Sequence, residues 1–130
     1  MKYDWDYLFE LGYEASELEA FERQGWAEGV YETLSDPDLI DSYQDNARYM
    51  LRFFSKSATL RLMVRYTSAF MISHETFVSR IEQVAELFGE NWQDTVIELY
   101  WKDQASIMDA VGYLRPDDWN KAIAEFTLSF

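Results

Sequence analysis

Twenty-four carboxylates and a single imidazole are the side chains of this 130-residue chain that could do the most chemistry. Glu82, Glu86 and Glu90 recur at i, i+4 and i+8, and on a helix that spacing sets acids in a row about 6 Å apart. Glu28 and Glu32 make a shorter row. Near the start, Tyr3, Trp5, Tyr7 and Tyr13 are interleaved with Asp4, Asp6, Glu10 and Glu14. A ring that packs while its neighbouring carboxylate reaches an Arg or Lys suits the edge of a protein interface. These patterns point to recognition of a positively charged partner, with Trp5, Tyr7, Glu10, Glu14, Glu28, Glu32, Glu82, Glu86 and Glu90 as the candidate contacts. The competing reading is structural. Acidic rows also serve simply to keep a protein in solution, and Trp5, Leu8 and Phe9 can seal the end of a helix bundle.

Catalytic and cofactor chemistry is poorly supplied. His74 is the only histidine and there is no cysteine, which excludes multi-His metal sites, thiolate metal sites, disulfides and cysteine nucleophiles. The string His74-Glu75-Thr76-Phe77-Val78 begins like a zinc-protease helix, but Val78 stands where the second ligand belongs. A di-iron carboxylate bundle needs two histidines. No Gly-x-Ser-x-Gly turn presents a serine, and no glycine-rich loop ends in Lys-Ser or Lys-Thr to cradle phosphate. A pair of carboxylates at glycosidase spacing stays open, because that separation is spatial. The expectation is a non-enzymatic protein with no metal and no cofactor.

Charge along the chain is uneven. Lys plus Arg number 11 against 24 acids, a net of −13, the wrong sign for direct contact with nucleic acid or an anionic membrane surface. Residues 1–46 hold 13 acids and only Lys2 and Arg23 as bases. Residues 47–66 reverse this, with Arg48, Arg52, Lys56, Arg61 and Arg65 and no acid. On one helix Arg48, Arg52 and Lys56 would stack at i, i+4 and i+8, a repulsion of about 0.2–0.5 kcal/mol per pair. Acids on neighbouring helices are expected opposite them; a patch for an acidic partner, or for self-association as a homodimer, is the alternative.

The elements that must position these residues read as helices. Apolar residues make up 48% of the chain, and two prolines and five glycines leave no linker, so residues 1–130 read as a single acidic globular domain. Ser16 and Glu19 suggest a capping box opening a helix to Leu34, with Gly25 and Gly29 on one face for close approach of another backbone. Asp36-Pro37 opens a second helix whose apolar positions run to Phe54. Ser73 caps a third that Gly89 closes, with Phe77, Ile81, Val84 and Phe88 as its stripe. A fourth spans Trp92 to Val111 with Gly112 as its stop, and a short last one begins at Pro116 with Trp119, Ile123, Phe126 and Phe130 on one face.

Thr59 to Tyr66 fits the period of a strand or of a helix. A lone strand lacks a partner, so the expectation is an all-α bundle of five to six helices, with a small α+β fold using residues 59–66 as the alternative. No apolar run approaches the ~18 residues of a membrane span, and acids at Asp4 and Asp6 do not suit a signal peptide, so a cytoplasmic protein is expected. Together these features predict a binding protein that inhibits a basic, nucleic-acid-handling target, as a nuclease-toxin immunity protein or a phage anti-defence protein would. The alternative is a helical structural subunit of a larger complex.

Overall fold

Local signals for helix starts and stops decide most of the architecture. The computed structural model describes residues 1–25, 27–102 and 107–129, with side chains as far as residue 125. Among the described residues there are ten helices and no strand. They are α1 (Asp6–Glu10), α2 (Ala15–Glu22), α3 (Ala27–Leu34), α4 (Ile40–Met50), α5 (Lys56–Arg65), α6 (Thr67–Phe70), α7 (His74–Phe88), α8 (Trp92–Lys102), α9 (Ile107–Tyr113) and α10 (Pro116–Ser129). None of the described helices is long and apolar enough to cross a membrane.

The all-α expectation holds, and the α+β alternative falls at residues 59–66. Thr59, Leu60, Leu62, Met63 and Tyr66 are the buried positions there, a spacing of three and four that only a helix produces. The apparent alternation of apolar and basic residues is incidental to it. Helix α7 matches its sequence signals at both ends: the Ser73 hydroxyl accepts from the Thr76 amide and Gly89 takes φ +83°. Phe77, Ile81 and Val84 are buried along its length.

Ten helices replace the expected five or six because the chain turns where periodicity alone would continue. Gly25 adopts φ +80°, a conformation open to glycine, and separates α2 from α3 inside the span from Ser16 to Leu34. The capping box at α2 is made by Glu14 and Glu17, two residues before the expected Ser16–Glu19 pair. Helix α4 stops at Met50, whose carbonyl accepts from both Phe53 and Phe54, and Ser55 caps α5 through the Ala58 amide. Arg48, Arg52 and Lys56 therefore never form a row on one helix. Of the expected helix from Trp92 to Val111, residues 103–106 lie outside the described residues, as do Phe130 and the side chain of Phe126 in α10. Helix α10 is 14 residues long rather than short.

Gly112 lies inside α9 instead of stopping it. A β-carbon there would stand 2.5 Å from the Ala69 nitrogen and 2.6 Å from the Ser68 carbonyl carbon, so the missing side chain is what lets α9 lie against α6. Gly29 has no atom within 4 Å of such a position, and the close approach expected at Gly25 and Gly29 is found at Gly112 instead. Tyr43 and Met50 of α4, Leu62 and Met63 of α5, Phe70 of α6, Phe77 and Ile81 of α7 and Ile107 of α9 form the centre of the core.

Arg80 of α7 is only 6% exposed and donates to the carbonyls of Val111, at 2.8 Å, and Leu114, at 2.7 Å. Its guanidinium lies over the Trp119 ring, and the Trp119 indole donates to Gln83 at 2.7 Å. One cation thereby satisfies carbonyls that the end of α9 leaves without helical partners, and fastens α10 to α7.

Two substitutions separate these roles in thermal melts. Gly112→Ala is expected to destabilise the fold by about 2 kcal/mol through the clash with α6, whereas Gly29→Ala is expected to be neutral or to stabilise by up to about 1 kcal/mol. Arg80→Met is expected to cost roughly 3 kcal/mol, since it leaves one buried and one partly buried carbonyl without this donor. An unchanged melting temperature for Gly112→Ala would contradict the packing of α9 on α6.

Candidate functional site

Two of the five bases in residues 47–66 are tied to acids of other helices, while Arg48, Arg52 and Arg61 are exposed. Lys56 pairs with Glu17 at 2.9 Å and also donates to the Gly12 carbonyl at 2.9 Å. Arg65 pairs with Asp109 of α9 at 2.9 Å, both largely withdrawn from solvent. Acids from other helices therefore face these two bases, as expected. Among the described residues, Arg48 forms its ion pair with its helical neighbour Asp45, at 3.7 Å and exposed. Arg52 lies over the rings of Tyr49 and Phe53, and Arg61 over Trp101. The Lys56 hydrogen bond and a backbone hydrogen bond hold the Glu17 carboxyl below its ordinary range.

At the N-terminus one carboxylate organises the first residues. Glu22 accepts from the Lys2 amide at 2.9 Å, the Tyr3 amide at 3.1 Å and the Trp5 indole at 2.6 Å. Burial pushes its pKa up, but those hydrogen bonds and the terminal amine outweigh it and hold the carboxyl below the usual value. Trp5 is 1% exposed, packed edge-to-face with Tyr3, Phe21 and Tyr31. Tyr13 is 3% exposed, its hydroxyl donating to the Lys56 carbonyl at 2.8 Å. These two rings are thus not free for a partner: an internal acceptor satisfies each polar tip, so burial carries no penalty of a lost hydrogen bond. Tyr7 is half-buried, donates to the Gln44 carbonyl at 2.8 Å, and has its phenol pushed up to about 12, chiefly by burial.

The carboxylates do remain outside. Glu10, Glu14, Glu28, Glu32, Glu82, Glu86 and Glu90 are all exposed. Asp4, Asp6 and Glu10 gather with Tyr7 and Tyr31 around a cleft of about 300 Å³. A hydrogen bond with Asp4, its like charge and that of Glu10 hold the Asp6 carboxyl above its ordinary range, the mark of acids crowded together. A second cleft, of about 600 Å³, brings Glu19, Glu22 and Glu28 together with Tyr3, Lys2 and Arg23. The rings of Tyr3 and Tyr31, one from each cleft, are 4.8 Å apart, so the two clefts adjoin. Glu32 stands one turn beyond Glu28 on α3, and Glu14 sits at the N-cap of α2.

On α7 the acidic row is shorter than its spacing suggested. Glu82 and Glu86 share the helix, but Gly89 ends it and Glu90 follows in the connection to α8. Glu82 also lines a groove of about 460 Å³ with Tyr49, Arg52, Phe53, His74 and Trp92. Sequence reasoning did not single out this groove. The four-residue interval from Tyr49 to Phe53 was its only local sign, and Trp92 joins them from a distant segment, 5.2 Å from Phe53.

Because Glu22 is ionised in the fold, its contribution is full above the ordinary carboxyl value of 4.5 and is lost as pH falls through its lowered folded value. Glu22→Ala is expected to release Trp5 at neutral pH, seen as a red shift of tryptophan emission, with melting lowered by roughly 5 °C. Wild-type protein should show the same loosening only under acid conditions. Emission unchanged in the variant would mean that Trp5 is held by packing alone. No protein-family model, curated protein or solved structure matches this chain, so the geometry of these clefts is the ground on which its function rests.

Proposed function

We propose that this protein is a non-enzymatic binder of a positively charged, nucleic-acid-handling protein and inhibits it by occupying its basic surface. Nuclease-toxin immunity proteins and phage anti-defence proteins are the kinds of antagonist that work this way. The contact is made by carboxylates of α1–α3, Glu10, Glu14, Glu28 and Glu32 with Asp4 and Asp6, and by the shorter acidic row of Glu82 and Glu86 on α7.

One observation carries the reading. Of the 13 acids in residues 1–46, only Glu17, Glu22 and Asp36 are partly buried. Each of those three has a structural partner: Lys56, the N-terminal residues and the Asp38 amide. The other ten acids of that third are exposed, against Lys2 and Arg23 as its only bases. An excess of this kind concentrates a negative field outside the protein, and such a field steers a basic partner into contact while repelling nucleic acid. Apolar anchoring falls to the accessible edges of Tyr3 and Tyr7 and to Phe9, which is exposed, since Trp5 is enclosed.

A second reading, a helical structural subunit, draws on a different surface. Trp101 and Tyr113 are each 65% exposed and Arg61 lies over the Trp101 ring, residue types that anchor stable interfaces.

Affinity capture from the native host followed by kinetics separates the two. An antagonist is expected to abolish its partner's activity at one-to-one stoichiometry, with an association rate falling at least about tenfold between low and high salt. Reversing Asp6, Glu10 and Glu28 to Lys should weaken that complex by tenfold or more, roughly 1.4 kcal/mol, with melting unchanged. A partner that stays active in the complex, and whose binding responds to Trp101→Ala instead, would overturn the antagonist reading in favour of the structural one.

A further inference from the structure

Arg52 and Glu82 bring opposite charges to one groove without pairing. The groove, about 460 Å³, lies among the end of α4, the outer face of α7 and Trp92 at the start of α8, within the size range of small-molecule sites. Arg52 rests over Tyr49 and Phe53, 5.7 Å from each ring centroid, contacts that consume no N–H donor and leave its guanidinium hydrogens for an acceptor. Among the described residues no ion pair joins it to Glu82 or to any other acid. Both charges nonetheless face the same ring: burial pushes the Tyr49 phenol up, Glu82 adds to that and Arg52 opposes it.

His74 in the same wall has its hydrogens assigned by a buried neighbour. Asn46, 0% exposed, donates to the carbonyls of Phe70 and Ile72, each at 2.9 Å, so its side-chain oxygen is left as an acceptor. That oxygen meets His74 Nδ1 at 2.9 Å, which therefore carries the proton. The neutral ring is left with Nε2 as its acceptor. The rest of the lining is aromatic and aliphatic: Tyr49, Phe53 and Trp92 in edge-to-face sequence, with Val78, Ile81 and Ala85.

A simple anion would meet Glu82 and a net charge of −13, and a basic side chain would meet Arg52. A molecule that carries both charges close together, beside an apolar group, offends neither. We propose that this groove binds a free α-amino acid with an aromatic or apolar side chain. Its carboxylate pairs with Arg52, its ammonium donates to Glu82 and to His74 Nε2, and its side chain packs on Tyr49, Phe53 and Trp92. This site is separate from the acidic clefts of α1–α3 and does not depend on them.

The test is a titration of the full chain with L-phenylalanine, read from the indole N–H resonance of Trp92, assigned with Trp92→Phe. Phenylacetate and phenethylamine, each lacking one of the two charges, serve as controls. A saturable shift of Trp92 with Trp5 unmoved is expected, with both controls at least about tenfold weaker. Arg52→Gln and Glu82→Gln should each weaken binding by about tenfold while the Trp5 resonance stays in place as a monitor of the fold. Absence of saturation by roughly 10 mM phenylalanine would overturn the proposal. So would phenethylamine binding as tightly as phenylalanine, an outcome that would assign the groove to a basic side chain of a partner.

Discussion

Eleven cations serve a chain with 24 acids, and the fold uses several of the scarce ones as ties between helices. Lys56 joins the start of α5 to the capping box of α2 and to the turn before it. Arg65 joins the other end of α5 to α9, and Arg80 joins α7 to the segment linking α9 with α10. A partly buried charge is tolerable only when it is matched, and each of these is matched by an acid or by carbonyl oxygens. With only Lys2 and Arg23 as bases in residues 1–46, most of the carboxylates of α1–α3 stay in water without a counter-charge, and the outer field there is negative.

The aromatic residues follow the same logic. A chain that is 18% aromatic has more ring surface than an apolar core alone would need. Here the polar tips of four buried rings find internal acceptors: Trp5 on Glu22, Tyr13 on the Lys56 carbonyl, Trp119 on Gln83 and Tyr43 on the Met63 carbonyl. Of the rings that the interleaving with acids marked as interface edges, Trp5 and Tyr13 close the N-terminal end of the bundle, as the structural reading held for Trp5 and Leu8, whereas Phe9, grouped with them in that reading, is exposed. The accessible surface is mainly acidic on α1–α3, and mixed, with aromatic walls and both signs of charge, in the groove beside α7.

On the two readings proposed above, these surfaces take different partners. A field of like charges acts at a distance and is read by an extended basic surface. A groove with one guanidinium, one carboxylate and an oriented imidazole acts at contact range and is read by a small molecule of matching polarity. Glu82 is common to both descriptions, exposed on α7 and lining the groove, so the acidic row on that helix also contributes to one wall of the groove.

Much of this was legible in the residues themselves. Helical class, the caps at Ser73 and Gly89, the buried stripe of α7 and the exposure of the acidic positions follow from interactions within a few residues: hydrogen bonds between neighbours in the chain, the 3.6-residue period and the solvation of carboxylates. Tertiary structure alone decided the rest, because the determining atoms come from far along the chain. Whether Trp5 faces a partner or the core depends on Glu22 and Tyr31; whether Gly112 stops a helix or admits one depends on Ser68 and Ala69. The groove exists only where Tyr49 and Arg52, His74 and Glu82, and Trp92 converge from three segments. Spacing along a helix specifies which side chains share a face, and the packing of helices specifies what that face meets.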